Sequence, residues 1–152
     1  MKTYLDKYPK IIVAVYVIFE KDGKTLLLKR ENTGYFDGFY SLPAGHLDGN
    51  ETSRDAAVRE VKEEVGLDIK AGDLQLVHFI HRKSPIPVIH ERFDLYFHLK
   101  KWHGEPKNAE PHKHEEIRWF AKGRLPENMV PEVRFALDKI SAGEIYSEFG
   151  FD

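Results

Sequence analysis

The 152-residue sequence predicts a protein of the α/β class, with a mixed β-sheet and helices packed beside it. Two observations support this fold class. Segments rich in β-branched and aliphatic residues alternate along the chain with segments whose apolar residues recur at helical spacing. No repeat, low-complexity tract or linker-like stretch interrupts that order, so we expect a single domain over residues 1–152.

The N-terminal part is predicted to form a β-hairpin. The run Ile11–Phe19 is rich in β-branched residues and is typical of a central strand. The turn sequence Lys21–Lys24 follows, and Thr25–Arg30 has the apolar content of a second strand. The next segment is rich in glycine and aromatic residues, which predicts a loop with a short strand around Phe39–Leu42.

A helix is predicted over residues 52–65, where the apolar residues have helical spacing. Thr52 or Ser53 can serve as its N-cap, and Gly66 is typical of a C-terminal stop. The remaining predictions are strands at Leu74–Arg82, Arg92–Lys100 and Ile117–Phe120, a turn containing Pro85 and Pro87, a polar stretch at His103–His114, and a final helix from about Pro131 to Gly143 with Val133, Leu137 and Ile140 on one face.

The composition excludes several functional classes. A formal charge of −2 provides no broad basic surface, so we expect no stable nucleic-acid partner. The absence of cysteine excludes disulfides and thiolate chemistry and is compatible with a cytoplasmic location. The longest apolar run is too short to span a membrane and lacks a signal-peptide cleavage site, so no membrane association is expected.

The predicted helix carries three glutamates on one strip. With about 100° per residue, Glu63 and Glu64 fall at roughly −60° and +40° from Glu60. Like charges at this spacing repel each other, and a hard divalent cation with oxygen ligands would relieve that repulsion. The residues expected to face the core occupy the adjoining arc: Ala57, Val58, Val61 and Val65.

An ordinary solvated helix face is the alternative interpretation of this strip. Three features favour a metal site instead. The strip lies beside the apolar face, Arg59 is adjacent to it, and a glycine-containing loop precedes the helix. Bound to a diphosphate, a divalent cation would neutralise phosphate charge and lower the pKa of an attacking water.

The wider pattern resembles the signature of the Nudix hydrolase family. Gly45 is followed after five residues by Glu51, and after seven more by Arg59-Glu60-Val61-Lys62-Glu63-Glu64-Val65-Gly66-Leu67. Every specified position of the signature is matched over these 23 residues. The resemblance implies an αβα sandwich in which a mixed sheet lies between helices, and it implies hydrolysis of a diphosphate bond with Mg²⁺ or Mn²⁺.

The resemblance also implies roles for individual residues. Glu60, Glu63 and Glu64 occupy the metal-ligand positions, and Glu60 or Glu64 would activate the water. Gly45 would offer its backbone carbonyl to the metal. Arg59 and Glu51 would form a supporting pair, which is physically reasonable because a guanidinium fork fixes the geometry of a carboxylate.

Residues outside the signature are weaker candidates. The stretch Gly104–His114 resembles a region where relatives place a further ligand or base, which points to Glu110 before Glu105. Arg30, or Lys29 beside it, could neutralise the leaving phosphate. Each of these side chains could equally be a solvated surface charge.

Substrate recognition is expected from the aromatic loop and from the segment before the last helix. Tyr35 and Phe36 could stack on a base, whereas Phe39 is expected in the core. Asn128 lies where mutator-type relatives place an asparagine that binds an oxidised purine. Its alternative role is that of a turn or N-cap residue before Pro131.

Histidines and the C-terminus add two further hypotheses. His112 and His114 could bind zinc, although two ligands without a third are a weak signal. The segment Tyr146–Asp152 mixes aromatic and charged residues and could contact a partner protein, pack on its own domain or contact the other copy in a possible homodimer.

We therefore expect a metal-dependent hydrolase of a small-molecule nucleotide. The favoured substrate is a (d)NTP or oxidised (d)NTP, cleaved to the monophosphate and pyrophosphate. Dinucleoside polyphosphates, nucleotide sugars and capped RNA ends are alternatives with the same chemistry. A nucleotide-binding regulator without turnover is an alternative from another class, although no motif glutamate is missing.

Overall fold

The computed structural model describes residues 1–83 and 91–151. Within those residues the chain forms eight β-strands and two α-helices, which confirms the predicted α/β class. The predicted turn with Pro85 and Pro87 lies outside the described residues. The strands are β1 (Ile12–Lys21), β2 (Lys24–Arg30), β3 (Tyr40–Ser41), β4 (Ala44–His46), β5 (Gln75–Lys83), β6 (Glu91–Leu99), β7 (His114–Ala121) and β8 (Tyr146–Phe149), and the helices are α1 (Ser53–Val65) and α2 (Pro131–Ser141).

The sheet is mixed, as predicted. Its strands follow the order β3-β2-β1-β6-β5-β8, with β4 paired to β1 and β7 paired to β2. The pairs β1–β6 and β5–β8 are parallel, and the other named pairs are antiparallel. The parallel pairing of β1 with β6 places Ile12 opposite Arg92, so both strands begin at the same end of the sheet.

Alternate residues of β1 face the two helices. Successive side chains of a strand point to opposite faces, and both faces of β1 are apolar. A separate core cluster lies on each face, so the sheet is packed between α1 and α2 as in the predicted sandwich. One cluster joins Val15, Val17 and Phe19 to Ala57 and Val61 of α1; the other joins Ala14, Tyr16 and Ile18 to Val133 and Ala136 of α2.

Helix α1 begins and ends at the predicted residues. The side chain of Thr52 accepts a hydrogen bond from the backbone N–H of Asp55 at 3.1 Å, which makes Thr52 the N-cap. Gly66 has a φ of 72°, a left-handed conformation that favours glycine and ends the helix. The helix that carries the glutamates is therefore defined by local signals at both ends.

Two elements were not predicted. Strand β4 has only three residues and pairs antiparallel with β1. Strand β8 pairs parallel with β5, so part of the C-terminal segment packs on its own sheet. Buried His78 of β5 secures this pairing, since its Nδ1 lies 2.8 Å from the Glu144 carbonyl oxygen and its Nε2 lies 2.7 Å from Ser147 Oγ. Neither α-helix in the described part of the chain is long and apolar enough to cross a membrane.

Candidate active site

A cleft of about 640 Å³ opens between the C-terminal half of α1 and the strands that pack against α2. One wall carries Gly45 of β4 and two glutamates of α1. The opposite wall carries side chains from β1, β5, β6 and α2. The lining includes Gly45, Glu60, Glu64 and Glu110 on one side, Tyr16, Tyr35, Arg82, Arg92 and Glu132 on the other, and also Arg30, Lys113 and His114.

Strand β4 brings backbone groups against two of the predicted ligands. A Cβ built at Gly45 would overlap the carboxyl group of Glu60, so only glycine leaves room for this carboxylate. The backbone N–H of Ala44 donates to Glu64 Oε2 at 3.3 Å. The side chain of Glu60 is 13% exposed and that of Glu64 is buried. The short strand therefore positions both carboxylates at the edge of the cleft.

Arg59 joins Glu51 to Glu60 of the glutamate strip through hydrogen bonds. Its Nη2 and Nε donate to the two oxygens of Glu51, at 2.9 and 3.3 Å. Its Nη1 donates to Glu60 Oε1 at 2.7 Å, and its Nη2 donates to the His46 carbonyl at 3.1 Å. The fork of Arg59 thus links Glu51, Glu60 and β4 in one network.

Glu110 reaches the strip because its loop is attached to the end of α1. The N–H of Lys107 donates to the Val65 carbonyl and that of Ala109 to the Glu64 carbonyl, both at 3.0 Å. The side chain of Glu110 is 19% exposed, and its Oε2 lies 3.6 Å from Lys113 Nζ. Glu110 therefore lines the cleft with Glu60 and Glu64, and its role as a ligand or base stays a prediction.

Glu63 occupies a different position from the other two glutamates of the strip. Its side chain is half exposed, it lies 3.6 Å from Arg59 Nη1, and it is outside the cleft lining. Across residues 1–83 and 91–151, no group of three or more His, Cys, Asp or Glu is arranged as a metal-binding cluster. That finding covers the glutamates as well as His112 and His114, so the three glutamates do not converge on one point in this arrangement.

Burial makes the two inner carboxylates hard to ionise. Desolvation raises the pKa of the Glu64 carboxyl well above its usual range, and the nearby charge of Glu60 raises it further. Desolvation also raises the pKa of Glu60, against the opposing effect of the Arg59 guanidinium. Ionising both carboxyls is therefore unfavourable in the metal-free protein, and a hard cation bound to both would offset that cost.

The model of the NUDIX domain family matches residues 9–140, which is most of the chain. This protein belongs to the NUDIX domain family. The match contains the whole signature from Gly45 to Leu67 and extends from β1 into α2.

Relatives in sequence and structure agree with the family. The chain is 38% identical over 114 residues to an ADP-ribose pyrophosphatase of Methanocaldococcus jannaschii; the match covers 75% of this chain and 64% of that protein, less than two thirds of it. It is 30% identical over 110 residues to a CTP pyrophosphohydrolase of Escherichia coli, covering 72% of this chain and 76% of that protein. A MutT NUDIX hydrolase from Burkholderia pseudomallei has a crystal structure that matches with a TM-score of 0.77 and 27% identity, covering 86% of this chain and 98% of that one.

Two of the four predicted substrate-binding residues lie in the cleft of this Nudix chain. Arg30 donates from Nε to the Tyr35 carbonyl at 2.6 Å and from Nη2 to Thr33 Oγ1 at 3.0 Å, so it also shapes the aromatic loop. The Tyr35 hydroxyl donates to Glu132 Oε1 of α2, which restrains the position of the Tyr35 ring. Both remain predictions as substrate contacts.

The other predicted positions lie outside the cleft lining. Phe36 packs edge-on against Tyr35 and Phe39 and lies, partly buried, against the core cluster on the α2 side. Asn128 donates from Nδ2 to the Gly38 carbonyl at 3.0 Å and is not the N-cap, which is Val130. The weaker candidates Lys29 and Glu105 also lie outside the cleft lining. Lys29 Nζ is 3.3 Å from Glu115 Oε2, and Glu105 lines a separate shallow groove beside Trp102.

The sequence analysis missed the charged residues on the far wall. Arg82, Arg92 and Glu132 line the cleft, and buried Asp94 lies between the two arginines. The sequence does contain a signal for this network, because three charged residues, Arg82, Arg92 and Asp94, lie within otherwise apolar strands. Charged residues are seldom buried unless they are paired, so their presence in such strands indicates a buried ion pair. His114 was considered only for zinc; burial, together with Arg30 and Lys113, lowers its pKa to about 4, so it is a neutral lining residue at neutral pH.

Proposed function

We propose that this Nudix protein hydrolyses a nucleoside triphosphate, either a (d)NTP or an oxidised (d)NTP, to the monophosphate and pyrophosphate. One observation carries the proposal: Glu60, Glu64 and Glu110 line the same cleft as Gly45, and the rest of the lining is aromatic and polar. That division leaves one side for metal-bound phosphates and the other side for a nucleoside. Relatives named as CTP pyrophosphohydrolase and ADP-ribose pyrophosphatase support diphosphate chemistry.

The donor set fits Mg²⁺ or Mn²⁺. It consists of oxygen atoms alone, which hard divalent cations prefer. Buried Glu64 and largely buried Glu60 repel each other when both are ionised, and a cation would remove that cost. Glu60, Glu64, Glu110 and the Gly45 carbonyl would hold the ion, with Glu63 at the exposed edge. When bound, the ion supplies charge neutralisation at the diphosphate and a more acidic water.

The protein side chains supply orientation and a proton acceptor. Arg59 holds Glu51 and Glu60 in fixed geometry, and the Ala44 N–H holds Glu64. The attacking water needs a carboxylate as its proton acceptor. Either Glu60 or Glu64 would take that proton, as the resemblance to the family implies. Arg30 and Lys113 provide positive charge in the same cleft for the departing phosphate.

A substrate panel tests the proposal directly. Purified protein with Mg²⁺ or Mn²⁺ is incubated with the standard and 8-oxo (d)NTPs, ADP-ribose, a dinucleoside tetraphosphate, a nucleotide sugar and NAD-capped RNA. Phosphorus NMR then distinguishes pyrophosphate from orthophosphate. We expect pyrophosphate release from at least one triphosphate with a higher kcat/KM than for any other class. Preference for another class would reject the triphosphate assignment.

Matched variants separate hydrolysis from binding. Glu60→Gln keeps the shape of the side chain and removes its charge, so we expect turnover to fall by roughly 100-fold or more. Glu115→Gln is the control, because Glu115 lies on β7 and pairs with Lys29 away from the cleft. Nucleotide binding without phosphate release in the unmodified protein would instead identify a non-catalytic regulator.

A further inference from the structure

The N-terminal segment, residues 1–10, is exposed along its whole length although it carries large apolar side chains. Tyr4–Lys7 form one turn of 3-10 helix in which no residue is buried. Leu5 is 71% exposed, and the tyrosines of the segment are exposed as well. Within the described part of the chain, the hydrogen bonds of residues 3–8 all lie inside the segment, so it does not pack on its own domain there.

A second exposed aromatic surface lies on the sheet, far from any core residue of the helices. The ring of Phe79 in β5 stacks on that of Phe93 in β6 at 4.9 Å between centroids, and His81 stacks on Phe93 at 4.4 Å. Tyr146 of β8 stacks on Phe79, and Phe151 contacts His81. These five residues form the aromatic face. Neither core cluster includes them, and Tyr146 and Phe151 are exposed.

In the described part of the chain, neither helix covers the aromatic face. Side chains alternate along a strand, so Phe93 is on the same side of the sheet as Leu95, which packs against the core cluster of α1. On that side α1 packs on β1 and β4, whereas α2 packs on β5 and β8 from the opposite side. Exposed apolar patches of this kind mark surfaces that bind another molecule.

The N-terminal segment leaves the sheet next to the aromatic face. Strands β1 and β6 begin at the same end of the sheet, and Val13 of β1 lies opposite Phe93 of β6. A two-fold axis at this end of the sheet can therefore place the N-terminal segment of each copy over the aromatic face of the other copy. In such a symmetric dimer the same contact is made twice, which doubles the area that it buries.

The two surfaces are complementary in charge. Three lysines and one aspartate give the N-terminal segment an excess of positive charge: Lys2, Lys7, Lys10 and Asp6. The aromatic face has two carboxylates beside its rings. Glu91 Oε2 lies 2.9 Å from His81 Nε2, and Glu148 Oε2 accepts a hydrogen bond from the Tyr146 hydroxyl at 2.8 Å. One lysine, Lys83, lies over the Phe151 ring, so the carboxylates of the face outnumber its lysine. The basic segment of one copy is therefore attracted to the acidic face of another.

The exposed area is sufficient for a dimer. Each contact brings together four rings that are about half exposed: Tyr4 and Tyr8 of the segment with Tyr146 and Phe151 of the face. An aromatic side chain buries roughly 150–250 Å², so two such contacts, with Leu5 and the lysine stems, bury on the order of 1,200 Å², the lower end of the range for specific interfaces. A Kd in the micromolar range is expected at this size.

We propose that this protein forms a symmetric dimer in which the N-terminal segment of each copy packs on the aromatic face of the other. The occupant of the aromatic face is therefore a second copy of this chain. Aromatic side chains surrounded by charged residues are typical of specific protein–protein interfaces. No described residue of either surface lines the cleft, so the dimer is independent of the proposed function.

Sedimentation velocity measures the association directly. At roughly 100 µM, well above the Kd expected for an interface of this size, the unmodified protein should sediment as a dimer. Leu5→Asp and Phe151→Asp each place a charge in the contact and should raise the dimer Kd by roughly tenfold or more. Both positions are exposed, so the variants should fold, which circular dichroism verifies. Lys101→Asp is the control, because Lys101 is exposed beyond the opposite end of β6 and should leave the dimer intact.

Disulfide cross-linking identifies which surfaces meet. The chain contains no cysteine, so Leu5→Cys and Phe151→Cys each introduce a single thiol. After mild oxidation of a mixture, with a mass tag on one variant, we expect a cross-linked pair that contains one copy of each. Leu5→Cys mixed with Lys101→Cys is the control and should give only the background of random collisions. A chain that carries both Leu5→Cys and Phe151→Cys should form cross-linked dimers and not closed monomers.

Three outcomes overturn the proposed dimer. The unmodified protein stays monomeric at this concentration, or it forms a dimer that Leu5→Asp or Phe151→Asp leaves unchanged, which shows that other surfaces meet. Closed monomers of the double cysteine variant show that the N-terminal segment packs on its own copy. Turnover enters none of these measurements. A substrate panel without hydrolysis therefore rejects the proposed function and leaves the dimer standing.

Discussion

Gly45 lies directly against the carboxyl group of Glu60, so close that a Cβ at this position would overlap it. We predict that Gly45→Ala displaces the Glu60 carboxylate and reduces kcat by roughly 100-fold, because small misplacements of catalytic groups have effects of that size. The overlapping atoms belong to the end of a flexible side chain, which can swing away. The thermal unfolding temperature should therefore change little while turnover is lost.

Gly72→Ala is the matched control for this substitution. A Cβ at Gly72 meets no atom within 4 Å, and Gly72 lies in the turn before β5, away from the cleft. Its kinetics should equal those of the unmodified protein. A Gly45→Ala variant with unchanged kcat would show that the contact with Glu60 has no functional role.

The pair formed by Arg59 and Glu51 supports a second prediction. Arg59→Lys retains the charge but cannot bind both oxygens of Glu51 and also reach Glu60. We expect activity to fall roughly 10–100-fold, with a higher Mg²⁺ concentration needed for half-maximal rate, as is common when residues that orient metal ligands are changed. Steady-state kinetics over a Mg²⁺ titration measure both quantities.

Arg54→Lys is the comparison for Arg59→Lys. Arg54 lies on the same helix but donates to the Leu74 carbonyl, away from the glutamates. Its Mg²⁺ dependence should match that of the unmodified protein. Equal Mg²⁺ curves for Arg59→Lys would contradict a positioning role for Arg59.

The predicted features share a local origin. Helix α1 was placed correctly because its signals, the Thr52 cap and the Gly66 stop, lie within the segment itself. The glutamate strip follows from helical geometry and a continuous motif, so it too could be deduced without tertiary information. The position of Glu110 depended on resemblance alone, since the hydrogen bonds that attach its loop to α1 cross more than forty residues.

The features that were missed are produced by long-range contacts. Strand β8 exists through its pairing with β5 and the contact between His78 and Ser147, which no local pattern indicates. The network of Arg82, Asp94 and Glu132 combines residues from three elements. The substrate contact expected of Asn128 stays a prediction; in this structure its amide donates to the Gly38 carbonyl, a long-range contact that no local pattern indicates.

Glu64 leads to a prediction about pH. Its pKa is raised by burial in the folded protein, so the folded state binds its proton more tightly than the unfolded state does. The tighter proton binding stabilises the folded state fully below the ordinary pKa of glutamate. This stabilisation is lost as the pH rises through the pKa of Glu64 in the folded protein. In EDTA, Glu64→Gln should therefore unfold at a higher temperature than the unmodified protein. This difference in unfolding temperature should grow as the pH is raised from about 5 to about 8.

Divalent cation should reverse this pattern. Mg²⁺ binds the ionised carboxylate, so it should stabilise the unmodified protein most at the upper end of that pH range and Glu64→Gln much less. Differential scanning fluorimetry with EDTA or Mg²⁺ at each pH provides the comparison. An unfolding-temperature difference that is constant with pH, or equal Mg²⁺ stabilisation of both proteins, would rule out this role of Glu64.

The hydrogen bond between His78 and Ser147 is expected to stabilise the C-terminal strand β8. Ser147→Ala leaves the buried His78 Nε2 without its partner, which should lower the free energy of unfolding by about 1–3 kcal/mol. For a chain of this size, each kcal/mol corresponds to about 2–4 °C in unfolding temperature. Ser141→Ala, at the exposed end of α2, should have little effect. Since β8 lies on the edge of the sheet, backbone hydrogen exchange in Ser147→Ala should become faster first in residues 146–149. A uniform increase across the sheet would show instead that β8 unfolds only together with the whole domain.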